Sequence, residues 1–263
     1  MKSLLLFLAS VIVLSCIQVT IGQTGPRIVD LSHPFDSETV YWPTAESFQL
    51  DKDFEGVTDQ GFYYSAYKYR AAEHGGTHID APVHFARGRY SVDQIPLTQL
   101  MGAGIVIDVT RQCATNPDYR VITQDLLSWE KQNGRIPPNA IVFLRTGFGK
   151  RYPNRQQYLG TDQRGPDAVA KLHFPGLHPD AATWLTNNRS VNAIGIDTAS
   201  IDYGQSKLFE THQIISQKNI PAFENVANLD QLPVRGFRVT ALPMKIKGGS
   251  GGPLRIIAVL NQR

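Results

Sequence analysis

Short apolar runs, bounded by Gly, Pro or charged residues, recur along most of this chain. Ile28-Val29-Asp30-Leu31 predicts a strand, and the Tyr-rich alternation from Phe62 to Arg70 predicts another. Three near-continuous runs have the character of strands covered on both faces: Ile105 to Val109, after Gly102 and Gly104; Ala140 to Leu144; and Val191 to Ile196. Helical patterns lie between them. Thr123 is placed to cap a helix that carries Leu126, Leu127 and Trp129 and stops at Gly134. Pro179 opens a second helix containing Ala182 and Leu185. A third spans about Lys207 to Gln217, followed by a short strand near Ala222 to Val226. Ile256 to Leu260 closes the chain as a strand. Strands and helices alternate through the middle, with extra strands at both ends. The fold class is therefore α/β, one domain on a mixed sheet. Strand order does not follow from the pattern.

The first 22 residues depart from this rhythm. Lys2 gives a positive start, Leu4 to Val19 is almost wholly apolar, and Thr20 and Gly22 are small. That layout predicts a secretory signal peptide over residues 1–22, a mature domain over 23–263, and a secreted or secretory-lumen protein. The apolar run is short for a bilayer, which takes about 20 residues, and no second such stretch follows. The mature protein is expected to have no stable membrane span. Cys16 falls in the leader, so Cys113 is left without an internal disulfide partner. Asn188-Arg189-Ser190 is a glycosylation sequon. At 42% hydrophobic and 19% charged residues the composition is that of an ordinary globular protein. A net charge of +3 with no basic stripe excludes nucleic acid as the expected partner. Lys150-Arg151 and the Arg235/Arg238 pair read as solvated surface.

Candidate chemistry concentrates in His74-Gly75-Gly76-Thr77-His78-Ile79-Asp80-Ala81-Pro82-Val83-His84-Phe85. Three of the seven histidines fall within these few residues, with an aspartate among them. Neutral imidazoles and carboxylates are the usual ligands of zinc and similar ions. The paired glycines argue against a helix. In an extended stretch His78 and Asp80 share a face. Gly75 and Gly76 let the backbone turn so that His74 joins them, and Pro82 breaks the ladder so that His84 swings back. A His-rich surface loop is the bland alternative. Further along, His212 falls in the predicted third helix and reads by itself as a core histidine. Glu224 lies in the apolar run Pro221 to Val226, where a carboxylate needs a partner or a metal, unless it is an edge-strand charge. Tyr41-Trp42-Pro43 and Phe85 are candidates for either core or pocket wall. A serine hydrolase is disfavoured, because Gly249-Ser250-Gly251 lacks the spacing of a nucleophile elbow.

The segment HGGTHIDAPVHF resembles the HxGTHxDxPxHF signature of the cyclase-like hydrolase family, which includes bacterial-type kynurenine formamidases and isatin hydrolases. The resemblance continues through Phe174 to Leu177, Ile194 to Thr198, His212, Ile220 to Asn225 and Gly248 to Pro253. It implies the family's swivelling β/β/α domain, usually in a homo-oligomer, here a dimer or tetramer. It implies His74, His78 and Asp80 as ligands of a first metal, His212 and Glu224 as completing a second site with Asp80 bridging, and His84 as the catalytic histidine. The cofactor implied is one or two divalent ions, zinc foremost, with manganese as the other option. The activity implied is hydrolysis of a small aryl amide: N-formyl-L-kynurenine to L-kynurenine and formate in the first instance, with opening of a cyclic amide such as isatin as the alternative. A non-catalytic secreted protein that binds a metal or small molecule is the reading from another class.

Overall fold

The computed structural model describes residues 25–261; the predicted leader, residues 1–22, lies outside the described residues. In chain order the strands are β1 (Arg27–Asp30), β2 (Gln49–Val57), β3 (Tyr63–Arg70), β4 (His78–Asp80), β5 (Met101–Asp108), β6 (Arg120–Val121), β7 (Ala140–Arg145), β8 (Gly176–Leu177), β9 (Val191–Ile196), β10 (Ala222–Glu224), β11 (Arg235–Pro243) and β12 (Gly251–Leu260). Eight of them form one sheet in the order β1-β12-β11-β5-β7-β9-β10-β4. Residues Gly251 to Pro253 of β12 also pair with β4, so the sheet curls into a barrel-like ring. β5, β7, β9 and β10 run parallel to one another, and the remaining pairings of this sheet are antiparallel.

The continuous apolar runs have a direct cause. Side chains alternate across a strand, and here both faces are covered. Val106, Ile141, Phe143 and Ala193 point into the ring with Ile79, Phe223, Phe237 and Ile256. Their neighbours Ile105, Ile107, Val142, Leu144, Ile194 and Ile196 face the helices. Gly104 lies on this wall because any Cβ there would fall 2.0 Å from the Phe237 ring. Three helices cover the outer face: α1 (Thr123–Asn133), α2 (Pro179–Asn188) and α3 (Glu210–Ser216). Shorter helical turns join the rest.

Most predicted elements are present, with some corrections. Thr123 is the first residue of α1 rather than its cap; the Asp125 carboxylate accepts from the Ile122 amide at 2.9 Å instead. Gly134 ends the helix at φ +83°. The third helix begins at Glu210, not Lys207, because Phe209 takes a left-handed φ of +51°. The long strands β2 and β11 were not predicted, nor were the two-residue strands β6 and β8. β11 hides in the segment read as an Arg235/Arg238 surface cluster: both arginines are exposed, while Phe237, Val239 and Ala241 alternate inward. β2 pairs with β3 as a hairpin whose residues are almost all exposed, so no buried face shows in its sequence. No helix among the described residues is long and apolar enough to cross a membrane.

Candidate cation centre and pocket

The centre is assembled at one seam of the ring, where β4 and β10 pair in register with Glu224 opposite His78 and Ala222 opposite Asp80. In β4 the alternation puts Ile79 into the core and turns His78 and Asp80 to the other side. Gly76, at φ +54°, makes the turn that precedes the strand; a side chain there would lie 2.8 Å from the Phe35 ring. His74 thereby returns to β4, its Nδ1 at 2.6 Å from Asp80 Oδ1. His78 Nε2 is 3.1 Å from the same oxygen and 3.5 Å from Glu224 Oε2. The second group comes from α3 and β10. His212 Nε2 lies 2.9 Å from Asp80 Oδ2 and 3.2 Å from Glu224 Oε1. Asp80 thus turns one oxygen to each group. In each of the two sets His74/His78/Asp80 and Asp80/His212/Glu224, the ligand atoms lie within 4.8 Å of one another. The single helical turn Pro82–His84 lays the His84 ring on His74, with centroids 3.9 Å apart and planes 17° apart. All six residues singled out by the sequence therefore meet in one place.

The outer nitrogens of the three clustered imidazoles are held by protein groups. His78 Nδ1 is 2.9 Å from the Gly76 carbonyl oxygen, which also accepts from Asn225 Nδ2 at 2.7 Å. His74 Nε2 is 2.9 Å from Ser250 Oγ, and that hydroxyl donates to Glu73 at 2.6 Å. His212 Nδ1 is 2.6 Å from Asp202 Oδ2. A proton held on each outer nitrogen leaves the inner lone pair aimed at the centre, the arrangement a cation requires. Gly251 packs against the back of His74: a Cβ there would fall 2.5 Å from His74 Cε1.

Electrostatics favour the same ion. Asp80 and Glu224 are both buried, at 5% and 3% exposure, and two carboxylates in one dry spot need compensating positive charge. Burial opposes the Asp80 charge, yet His74, His212 and His78 around it hold its carboxyl well below the usual range. Glu224 is pushed up, by burial first and then by Asp80. Burial works against protons on His78 and His212, but the surrounding carboxylates outweigh it and raise both. A divalent cation would replace those protons. The donor set of three nitrogens and two carboxylates suits zinc or manganese.

His84 behaves differently. Desolvation by the cavity walls lowers it to about 4, with His74, His212 and His78 contributing in the same direction against Asp80. The residue nonetheless stays exposed as a whole. The cavity it faces has a volume of about 260 Å³. Tyr41, Trp42, Phe85 and Phe209 supply aromatic walls, Ser200 and Asn225 supply polar ones, and the clustered residues form the floor. Trp42 also packs edge-on against Phe174 and Phe209, so it serves both core and pocket, while Pro43 is not part of the lining. Phe209 and Asp202 were not singled out from sequence, because each reaches the site through a loop whose path the sequence does not encode.

The model of the Cyclase family, described as "Putative cyclase", matches residues 29–203. The isatin hydrolase of Roseibium aggregatum is 31% identical over 249 residues, covering 91% of this chain and 89% of that protein. A kynurenine formamidase of Salinibacter ruber is 25% identical over 230 residues, covering 88% and 96%. Among solved structures, isatin hydrolase A from Labrenzia aggregata, bound to benzyl benzoate, superposes with a TM-score of 0.80 at 32% identity, covering 90% of this chain and 94% of that one. With its signature residues gathered on the β4–β10 seam of a barrel-like α/β domain, the chain belongs to the Cyclase family and is one of its hydrolases.

Proposed function

We propose that this protein is a cation-dependent amide hydrolase that opens a small, flat, uncharged cyclic amide of the isatin type. One observation carries the choice of substrate. The cavity above the clustered residues is small and aromatic, and among the described residues no Lys or Arg lines it. N-formylkynurenine would bring an amino acid's ammonium and carboxylate into that space, where unpaired charge is costly. A planar lactam would bring neither. The similarity to isatin hydrolases supports the same choice.

In this reading His74, His78, Asp80, His212 and Glu224 hold the cation. When bound, such an ion supplies a nucleophile at neutral pH and polarises the amide carbonyl. Trp42, Phe85 and Phe209 hold the planar ring against the floor and exclude water. His84 accepts the proton of the attacking water. It then delivers one to the departing nitrogen, so that the C–N bond is replaced by a carboxylic acid and a free aryl amine. Two further proposals travel with this one. The apolar residues 1–22 support action after secretion, and the exposed β2–β3 hairpin supports a homo-oligomer.

The test is hydrolysis of isatin and of N-formylkynurenine by the purified protein, before and after chelation. Isatin is expected to be the better substrate, and chelation should abolish turnover. A ten-fold or greater preference for N-formylkynurenine would overturn the substrate assignment. Activity that survives complete chelation would overturn the cation.

A further inference from the structure

We infer that Asp202 is a positioning residue that makes His212 an inward-facing donor, so that the inner half of the cation centre depends on it. Asp202 is buried, at 2% exposure, in the loop between β9 and α3. Its Oδ2 accepts from the His212 backbone amide at 3.1 Å and lies 2.6 Å from His212 Nδ1. Its Oδ1 accepts from the Thr211 amide at 3.2 Å and from Ser206 Oγ at 3.3 Å. One carboxylate thus fixes both the first turn of α3 and the ring that α3 carries.

The consequence concerns which nitrogen holds the proton. Imidazole offers one N–H and one lone pair, and the partner of one nitrogen decides the role of the other. With the proton held on Nδ1 by Asp202, the Nε2 lone pair faces Asp80 and Glu224. The other two imidazoles of the cluster have neutral outer partners, the Gly76 carbonyl and the Ser250 hydroxyl. Only His212 has a carboxylate in direct contact with its outer nitrogen. A carboxylate there makes the ring a more basic ligand, and losing such a partner typically weakens metal affinity by about 10–100-fold. The inner set Asp80/His212/Glu224 should therefore respond to Asp202, whereas His74 and His78, anchored elsewhere, should not.

This inference rests on the cation-centre reading but uses no substrate, so a failed isatin assay leaves it standing. Stripped wild type and Asp202→Asn are titrated with Zn²⁺ against a chromophoric chelator. Wild type should take up two equivalents, and Asp202→Asn should weaken one of them by at least ten-fold while leaving the other unchanged. Should wild type take up a single equivalent, Asp202→Asn must weaken that one. Unchanged affinities in a folded variant overturn the inference, as does an equal loss at both positions, which a merely structural role would produce. The ring itself gives a second readout in the wild-type protein, independent of whether the variant folds. Nitrogen–proton correlation spectra of the zinc-loaded protein should show His212 as the Nδ1–H tautomer; an Nε2–H tautomer overturns the assignment.

Discussion

At the scale of single residues, His84 and His78 lie a few ångströms apart and should fail in different ways when replaced. Among the described residues, nothing hydrogen-bonds to the His84 ring, which stacks on His74 and meets Phe85 edge-on. Its removal leaves the cluster intact. His84→Ala should therefore keep its full metal content by elemental analysis while turnover falls by about 10²–10⁴, the usual contribution of a general acid–base. Wild-type rates in that variant would remove His84 from the chemistry. His78 is buried between Asp80 and Glu224, so its loss leaves two carboxylates facing each other. A ligand present at 100 times its Kd stabilises the folded state by about 2.7 kcal/mol, which for a domain of this size is roughly 5–10 °C in Tm. Zinc should raise the wild-type melting temperature by that amount and should leave His78→Ala nearly unmoved. An equal zinc-dependent shift in the two proteins would show that His78 holds no cation.

At the scale of elements, legibility followed burial. Strands β5, β7 and β9 are covered on both faces, so their apolar runs were plain in the sequence. Strand β11 shows its alternation only once Arg235 and Arg238 are taken as the outward residues of a strand. β2, with charged side chains on a solvent-facing hairpin, carries no burial signal at all. The site followed the same logic. Residues 74–84 were readable because a short stretch of chain carries its own geometry in Gly76 and Pro82. His212 and Glu224 stand on distant elements, and only the family resemblance joined them to the first group. Side-chain ties between helices are equally silent in sequence, and one is open to test. Glu130 of α1 accepts from Arg189, at the end of α2, through Nε at 2.7 Å and Nη2 at 2.5 Å, and from the Ile136 amide at 2.8 Å. Both side chains of the pair are nearly buried, at 12% and 13% exposure. Hydrogen bonding to Arg189 holds the Glu130 carboxyl below its ordinary 4.5. A carboxyl depressed by folding contributes stability above its unfolded pKa, and that contribution is lost as pH falls through the folded value. Glu130→Gln should cost about 2 kcal/mol near neutrality, as expected for charge-assisted bonds. The gap to wild type should close as the pH drops below the ordinary carboxylate range. Denaturant titrations at several pH values will read this; a gap constant down to acid pH would mean the charge contributes nothing.

At the scale of the whole molecule, the β2–β3 hairpin is the feature that a lone domain does not explain. A two-stranded ribbon is marginal in water by itself, yet this one leaves Leu50, Phe54, Val57, Tyr63, Tyr64, Tyr67 and Tyr69 between 41% and 71% exposed. Leu50, Val57, Tyr63, Tyr67 and Tyr69 share one face of the ribbon, with Phe54 and Tyr64 on the other. An aromatic side chain buries 150–250 Å², so the exposed parts of the three rings and two aliphatic side chains on that one face offer on the order of 400–600 Å². A standard interface takes about 800 Å² from each partner. Charge permits two copies to meet there: Asp51, Asp53 and Glu55 balance Lys52, Lys68 and Arg70, and Lys68 pairs with Asp53 at 2.8 Å. The base of the ribbon stays fixed, because Tyr69 stacks on Phe48 with centroids 6.0 Å apart. Ala45 and Ala72, just outside the two ends of the hairpin, line the candidate pocket, so a second copy seated on the ribbon would stand beside the pocket mouth. The expected outcome is a dimer or tetramer by sedimentation at micromolar concentration. Leu50→Lys combined with Val57→Lys, which adds charge to the ribbon without touching the cation cluster, should sediment as a monomer with an unchanged circular dichroism spectrum. If the wild-type chain sediments as a monomer, or the charged variant still assembles, the ribbon is not the contact between copies.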